Sequence, residues 1–187
     1  KEIQACIRIS LESRYQELRR AGLNLSDSKS LSQLLKMREF VIRRNRRAAK
    51  PLFTAIRIVH ALNVLESHGI TPFLRFCERT QKKKGVGIRD LFENDLNFVK
   101  AIRLAKAAQA NGIEHSKIIK LKEVLESVTG KALVFTSYRD SVEVIHQKLV
   151  EMGIAAGFLI GKAGKTGLKQ KKQIETVQKF RDGEYKV

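Results

Sequence analysis

The spacing of apolar residues changes near residue 112, and this change is the strongest constraint on the fold. Over residues 1–112 apolar side chains recur every three or four positions, which predicts amphipathic helices. Beyond residue 113, short continuous apolar runs alternate with helical stretches. The run Ala132–Phe135 is typical of a strand that is buried on both faces of a parallel sheet. Ile154–Ile160 predicts a second strand, and Tyr185–Val187 predicts the beginning of a third.

These patterns predict two domains of different class. Residues 1–112 are expected to form an all-helical domain, and residues 113–187 a parallel β-α-β-α-β domain of α/β class. Open sheets usually have about five or six strands, so three strands predict an incomplete domain within a longer protein. An uncovered strand edge exposes unpaired backbone groups. We therefore expect this domain to be loosely ordered, or completed by self-association through the incomplete sheet.

Glycine and proline mark the expected helix ends in the first domain. Pro51 suits the first turn of a third helix, where its missing N–H would have no partner in any case. That helix is apolar on most sides, which predicts a place at the centre of a bundle. Gly69 is expected to end it. Thr71-Pro72 then predicts the cap and first turn of a fourth helix, and a fifth covers roughly residues 94–110.

A large positive charge narrows the partners. The chain has a formal net charge of +18 and a pI near 10.2, and residues 1–112 hold +13 of that charge. Such an excess indicates nucleic acid as the default partner, and a solvated basic face is the alternative. Three clusters carry much of the charge: Arg43, Arg44, Arg46 and Arg47; Lys82, Lys83 and Lys84; and Lys162, Lys165, Lys169, Lys171 and Lys172. One such cluster is often only solvated, but three favour phosphate contacts.

The segment Gly161–Thr166 includes Gly-Lys-Thr, the end of a Walker A phosphate-binding loop. The complete motif requires a glycine five residues before Gly164, and Leu159 stands there. Gly161 is three residues before Gly164, so the loop is two residues too short. The segment is therefore expected to form a basic surface turn rather than a nucleotide site.

Polar residues follow the first predicted strand. Binding residues collect at the carboxyl ends of strands in open α/β sheets. Thr136, Ser137 and Arg139 could donate there to phosphate oxygens, helped by the start of the next helix. Capping of that helix by Thr136 or Ser137 is the simpler interpretation from local chemistry.

The cysteines, the histidines and the apolar runs do not indicate a disulfide, a metal site or a membrane-spanning helix. Cys6 and Cys77 lie alone on helical patterns, so buried thiols are expected. The four histidines have no ligand spacing, and we assign no metal site. No apolar run approaches the roughly 18 residues that would cross a membrane. The sequence predicts a cytoplasmic protein with no membrane partner.

Several stretches resemble superfamily 2 helicases. His115–Lys122 and Ala132–Arg139 are similar to the entry into the second RecA-like motor domain. Gly161–Gln170, with Gln173, and Phe180–Tyr185 narrow the likeness to the archaeal Hef helicase/nuclease and its Fanconi anaemia M and Mph1 relatives. Ala61–Gly69 resembles the helical, thumb-like insertion between the motor domains of that family.

The resemblance implies an ATP-dependent motor that remodels branched or fork DNA in DNA repair and replication restart. It implies DNA contacts by Thr136, Ser137, Tyr138 and Arg139 at the strand end. In the following loop, the residues that match or flank the family pattern are Gly161, Ala163, Lys165, Thr166, Gly167 and Gln170. Lys162 departs from the pattern, because a glutamine is expected at its position.

The motifs that perform phosphoryl transfer are not in these 187 residues. The sequence contains no complete Walker A, no Asp-Glu-x-His/Asp segment and no arginine-finger segment, which hold metal and stabilise charge during transfer. No catalytic residue is therefore assigned, and ATP and Mg²⁺ are expected only in the parent helicase. Two alternatives stay open: a free-standing basic helical module that binds RNA or DNA, and a nucleotide-binding enzyme that uses Gly164-Lys165-Thr166.

Overall fold

The computed structural model describes residues 1–23, 30–113, 116–161 and 170–187. The chain divides into two compact units, Lys1–Ile113 and Glu114–Val187. Their assignment to an insertion domain and a second motor domain stays a prediction.

The described part of the first unit is helical, as predicted. Its α-helices are α1 (Glu2–Arg20), α2 (Leu31–Arg44), α3 (Ala49–His68), α4 (Ile70–Gln81) and α5 (Leu96–Ala110). A 3₁₀ helix at Arg46–Ala48 separates α2 from α3, and a π-helical turn at Asp90–Asn94 precedes α5. The sequence did not predict either of these short elements.

Helix α3 lies at the centre of the first unit. It packs against α1, α2 and α4, and α1 also packs against α5. Its side chains Leu52, Ala55 and Ile58 are fully buried. The prediction of a central helix that is apolar on most sides is therefore confirmed. The hydrophobic effect favours this arrangement because α3 has no broad polar face to present to water.

Local chemistry fixes most helix ends. Ser30 and Gln33 form a capping box at the start of α2, with Ser30 N–H donating to Gln33 Oε1 over 2.8 Å. Pro51 lies in the first turn of α3, as predicted. Gly69, with φ of 91°, ends α3 and also caps α4, which begins at Ile70. The prediction of Thr71 as the cap of α4 was therefore wrong.

The second unit contains three described helices and a small core. The helices are α6 (Ser116–Ser127), α7 (Arg139–Glu151) and α8 (Gln170–Asp182). Leu125, Leu149 and Ala156 form the buried centre of the core. Within the described residues of this unit the structure has no β-strand.

The prediction of a truncated parallel β-α-β domain was therefore wrong. The structure assigns no regular secondary structure to the segments Ala132–Phe135, Ile154–Ile160 and Tyr185–Val187. Isolated backbone hydrogen bonds join them: Ala132 N–H donates to Lys186 O, Lys186 N–H to Ala155 O, and Gly157 N–H to Val187 O, each over 2.8 Å. Leu133 and Phe135 are 68% and 89% exposed, whereas a central strand would bury both faces. The structure therefore does not support the prediction of self-association through the edge of an incomplete sheet.

Both cysteines are buried free thiols, as predicted. Among the described residues, no helix is long and apolar enough to cross a membrane. No group of three or more histidine, cysteine or acidic side chains in the described ranges could hold a metal ion.

Candidate nucleic-acid interface

The arginine cluster lies where α2 passes into α3. Arg43 and Arg44 end α2, and Arg46 and Arg47 begin the 3₁₀ helix. All four side chains are exposed. The turn between the helices thus presents four guanidinium groups to solvent within five consecutive residues.

Asn45 fixes the turn that carries these arginines. Its Oδ1 accepts a hydrogen bond from Ala48 N–H over 3.3 Å, which caps the 3₁₀ helix. Its Nδ2 donates to Ala21 O over 2.7 Å, which ties the turn to the end of α1. The capping bond therefore adds to the 3₁₀ bond from Ala48 N–H to Asn45 O, and the second bond gives the Ala21 carbonyl at the end of α1 a partner.

No acid neutralises the arginine cluster locally. The sequence has no acidic residue between Glu39 and Glu66. Within the described part of the chain, none of the four arginines forms an ion pair. Phosphate oxygens would therefore meet cations that no carboxylate already satisfies.

The lysine cluster follows α4 and leads into a loop that packs on α3. Lys82, Lys83 and Lys84 are exposed. Arg57 of α3 holds the loop, because its Nη1 donates to Val86 O over 2.6 Å and to Phe53 O over 3.1 Å. Gly87 lies so close to α3 that a β-carbon there would collide with Thr54 Oγ1.

These contacts bring the two clusters to neighbouring parts of the first unit. The ideal β-carbon position of Gly87 is 3.4 Å from Lys50 O, and Lys50 lies in the first turn of α3, directly after the arginine cluster. The loop that follows the lysine cluster therefore packs on the N-terminal half of α3, which begins directly after the arginine turn. We call this region the basic surface; it comprises Arg43, Arg44, Arg46, Arg47, Lys50, Arg57, Lys82, Lys83 and Lys84.

A polar network joins Lys50 of the basic surface to side chains of α1 and of the segment that leads into α5. Arg14 Nη1 lies 3.2 Å from Asp90 Oδ2, and Arg14 Nη2 lies 3.4 Å from Asp95 Oδ2. Ser10 Oγ donates to Asp95 Oδ2 over 2.6 Å, and Lys50 Nζ lies 3.1 Å from Asp90 Oδ1. Burial opposes ionisation of Asp90, but hydrogen bonds and charges from its neighbours bring its pKa below the ordinary value. The network thereby links α1, the start of α3 and α5.

Burial changes two ionisable groups on α3. The pKa of Arg57 is lowered by burial, although a guanidinium keeps its charge at neutral pH. The pKa of His60 is lowered first by burial and then by the positive charge of Lys83. The His60 ring also lies against Phe76, with centroids 4.8 Å apart. Neutral His60 is the favoured form beside the lysine cluster.

In the second unit, Arg139 connects two segments that the sequence singled out. Its Nη2 donates to Gly161 O over 2.7 Å. Ser137 is exposed, and Thr136, Tyr138 and Arg139 are half-buried. Tyr138 is the cap residue of α7, with no side-chain capping bond, so the prediction that Thr136 or Ser137 caps this helix was wrong. Phosphate binding by these residues stays a prediction.

Much of the third basic cluster lies outside the described residues. This applies to Lys162, Ala163, Gly164, Lys165, Thr166, Gly167 and Lys169. The described members, Lys171 and Lys172, are exposed in the first turn of α8, next to Gln170.

A cavity of about 430 Å³ in the second unit is lined by helices α7 and α8 and by the three segments that were predicted as strands. Most of its lining is apolar, with Thr136, His146 and Thr176 among its few polar side chains. The His146 ring is bonded to Ala156 O over 3.0 Å. The lining offers no lysine or arginine to bind a phosphate, so the cavity does not extend the basic surface.

Comparison with known proteins finds helicases that are similar to this chain. MJ1505 of Methanocaldococcus jannaschii, which is named an ATP-dependent RNA helicase, is 30% identical over 134 residues, or 68% of this chain. The ATP-dependent DNA helicase MPH1 of Pyricularia oryzae is 33% identical over 158 residues, or 73% of this chain. The crystal structure of the Pyrococcus furiosus Hef helicase domain matches all of this chain with a TM-score of 0.79 and 25% identity. The chain is a homologue of part of the Hef and Mph1 helicases.

The likeness to this family covers only part of each relative. The chain spans 17% of MJ1505, 14% of the Pyricularia MPH1 helicase and 42% of the Hef helicase-domain chain. No family model matches the chain. The similarity therefore does not by itself assign the activity of a complete Hef or Mph1 helicase to these residues.

The charged clusters of this Hef and Mph1 homologue were predictable from the sequence, but the residues that position them were not. Asn45 lies within the arginine run, and its two hydrogen bonds are visible only in the structure. The contact between Arg57 and the Val86 carbonyl joins residues 29 positions apart. Gly87 gave only a weak signal, because glycine is common where the backbone approaches another element closely, but also in ordinary turns.

Proposed function

We propose that this chain binds nucleic acid through the basic surface, without base specificity, as a non-catalytic part of a helicase. The carrying observation is that the segments bearing the arginine and lysine clusters both adjoin the N-terminal half of α3. Asn45 and Arg57 hold the two cluster-bearing segments in place. Fixed cations attract a phosphate backbone at less entropic cost than mobile ones, and phosphate contacts carry no sequence information.

The proposed substrate of the complete protein is branched or fork DNA, which the motor would remodel in DNA repair and replication restart. The names of the Mph1 relatives, ATP-dependent DNA helicases, support DNA. The preference for branches rests on the family resemblance. The basic surface would bind one arm of such a DNA while the motor moves along the DNA.

ATP and Mg²⁺ are proposed to act elsewhere in the complete helicase. The family members are named ATP-dependent, whereas these residues lack the motifs that hold metal and stabilise a transferred phosphoryl group. This chain would therefore contribute binding rather than hydrolysis.

RNA is a second candidate ligand, because MJ1505 is named an RNA helicase. Phosphate contacts alone do not separate the two nucleic acids. A motor-free module that binds RNA or DNA is the functional alternative, and the relative affinity for RNA and forked DNA distinguishes these proposals.

The test compares two triple variants in binding to labelled forked DNA, linear duplex DNA and duplex RNA. Lys82, Lys83 and Lys84 are replaced by alanine in one variant; Lys100, Arg103 and Lys106, exposed residues of α5, are replaced in the control. Both remove the same charge from the same unit. The first is expected to weaken binding substantially, and the control to stay close to the unaltered protein. Equal weakening would show that net charge alone drives binding, and tightest binding to RNA would refute the DNA assignment.

A further inference from the structure

Phe40 is an exposed aromatic side chain within a basic part of α2. It is 53% exposed, whereas Phe73, Phe92 and Phe98 of the same unit are buried. Leaving a large ring in water forgoes the stabilisation that burial would give. An exposed ring among cations is one of the features by which proteins bind unpaired nucleotides.

Helix geometry sets Phe40 in a row with positive charges. Residues four apart lie on the same helix face, about 6 Å apart along the axis. Lys36 and Arg44 occupy the two positions four residues from Phe40, and Arg43 is three residues away. All three cations are exposed. The row thus alternates cation, ring and cation along one flank of α2.

The opposite flank of α2 has a different chemistry. Leu34 and Val41 are fully buried and mark the face of α2 that packs in the bundle. Ile42 is 51% exposed, nearly as much as Phe40, but its position places it on the other side of that buried face. On Ile42's side, Arg38 stacks over the Phe53 ring at 5.4 Å. Ile42 is therefore a matched control: equally exposed, on the same helix, away from the row.

We propose that Phe40 stacks against an unpaired nucleobase while Lys36 and Arg44 bind the flanking phosphates. Charge complementarity selects a polyanion, and the ring selects a polyanion with an accessible flat apolar face. A single nucleic-acid strand offers both, because its bases can unstack and its phosphates follow at each nucleotide. In a duplex the base faces are stacked within the helix and cannot reach the ring. The inference rests on the proposed function and adds a preference for unpaired nucleotides, as at a DNA branch.

The chain contains no tryptophan, which allows a direct probe. In the Phe40→Trp variant of the whole chain, the emission of the introduced indole is expected to be quenched by short oligothymidylate and unchanged by blunt duplex DNA. Phe40→Ala is expected to weaken oligothymidylate binding about 5- to 150-fold, the range for loss of one stacked base. Its duplex affinity should stay within about twofold, since phosphate contacts remain. Ile42→Ala should change neither affinity, and Phe40→Trp should retain oligothymidylate binding.

Thermal melting of each variant checks that the helical unit stays folded. Oligothymidylate binding without any change in indole emission would overturn the stacking proposal and leave the basic surface intact as a binding site. Equal weakening of single-strand and duplex binding by Phe40→Ala would also overturn it. If neither nucleic acid binds the unaltered protein, the proposed function fails as well, so the two failures are distinguishable.

Discussion

At the scale of single residues, burial shifts the pKa values of two side chains of the first unit, Cys77 and His60. Burial and the charge of Glu78 raise the pKa of the Cys77 thiol to about 12, and the charge of Lys106 offsets this only in part. A buried thiol with such a pKa has almost no thiolate at neutral pH, and the thiolate is the reactive form. The structure thereby assigns Cys77 to the core rather than to chemistry.

We expect Cys77 in the folded protein to resist labelling by a thiol reagent at pH 8. A Cys6→Ser variant isolates the Cys77 signal. In urea, where burial is lost, the same thiol should react at the rate of a free cysteine. Rapid labelling of the native variant, with its helical signal intact, would show that Cys77 is accessible.

His60 predicts a pH dependence of stability. Its folded pKa lies below the ordinary value of 6.5, so the unfolded chain binds the proton more tightly. The stability that neutral His60 contributes is therefore present above pH 6.5, and it is lost as the pH falls through 6.5 toward the lower folded pKa.

We expect His60→Gln to reduce the fall in melting temperature between pH 7.5 and 5.5. His68→Gln, which removes another histidine of α3, serves as the control. An identical pH profile for His60→Gln and the unaltered protein would contradict the assigned direction of the shift.

At the scale of secondary-structure elements, the helices of the first unit were predictable, because apolar spacing and local stop signals act within a few residues. Pro51 and Gly69 each limited α3 through their own backbone preferences. The π-helical turn at Asp90–Asn94 escaped prediction, since its bonds depend on how the loop packs.

The three segments of the second unit that were predicted as strands show where sequence patterns fail. A run such as Ala132–Phe135 predicts extended backbone, but strand pairing depends on partners that lie far along the chain. Here the partners of Ala132 and Ala155 come from Lys186 and Val187, and only isolated bonds form. In the candidate site, likewise, the charged clusters were visible in the sequence, whereas the Arg57 contact that places the lysine loop on α3 was not.

The loop after α4 predicts a large cost for adding one methyl group. Gly87 has φ of 75° and Gly112 has φ of 68°, so alanine would be strained at both. A β-carbon at Gly112 would meet open space, whereas at Gly87 it would collide with Thr54 Oγ1. Gly112→Ala is expected to lower the free energy of unfolding by roughly 1–2 kcal/mol from backbone strain, and Gly87→Ala by clearly more. Urea denaturation measures both, and equal losses would contradict the close packing of the loop on α3.

At the scale of the whole molecule, the uneven charge is the property that the fold organises. The excess of residues 1–112 is +13 against +5 for residues 113–187, and the basic surface lies entirely in the first unit. A surface that binds phosphates releases the counterions condensed on DNA, so its contribution appears in the salt dependence of binding. A merely solvated charged face releases none.

The decisive quantity is therefore the slope of log affinity against log salt concentration for binding to duplex DNA. Each phosphate contact contributes about −0.9 to the slope, so replacing Arg43, Arg44, Arg46 and Arg47 by alanine should flatten it by up to about 3.6. The control replaces Lys1, Lys100, Arg103 and Lys106, four exposed residues elsewhere in the first unit, and should leave the slope nearly unchanged. An unchanged slope in the arginine variant, or equal flattening in both variants, would contradict phosphate binding by the basic surface.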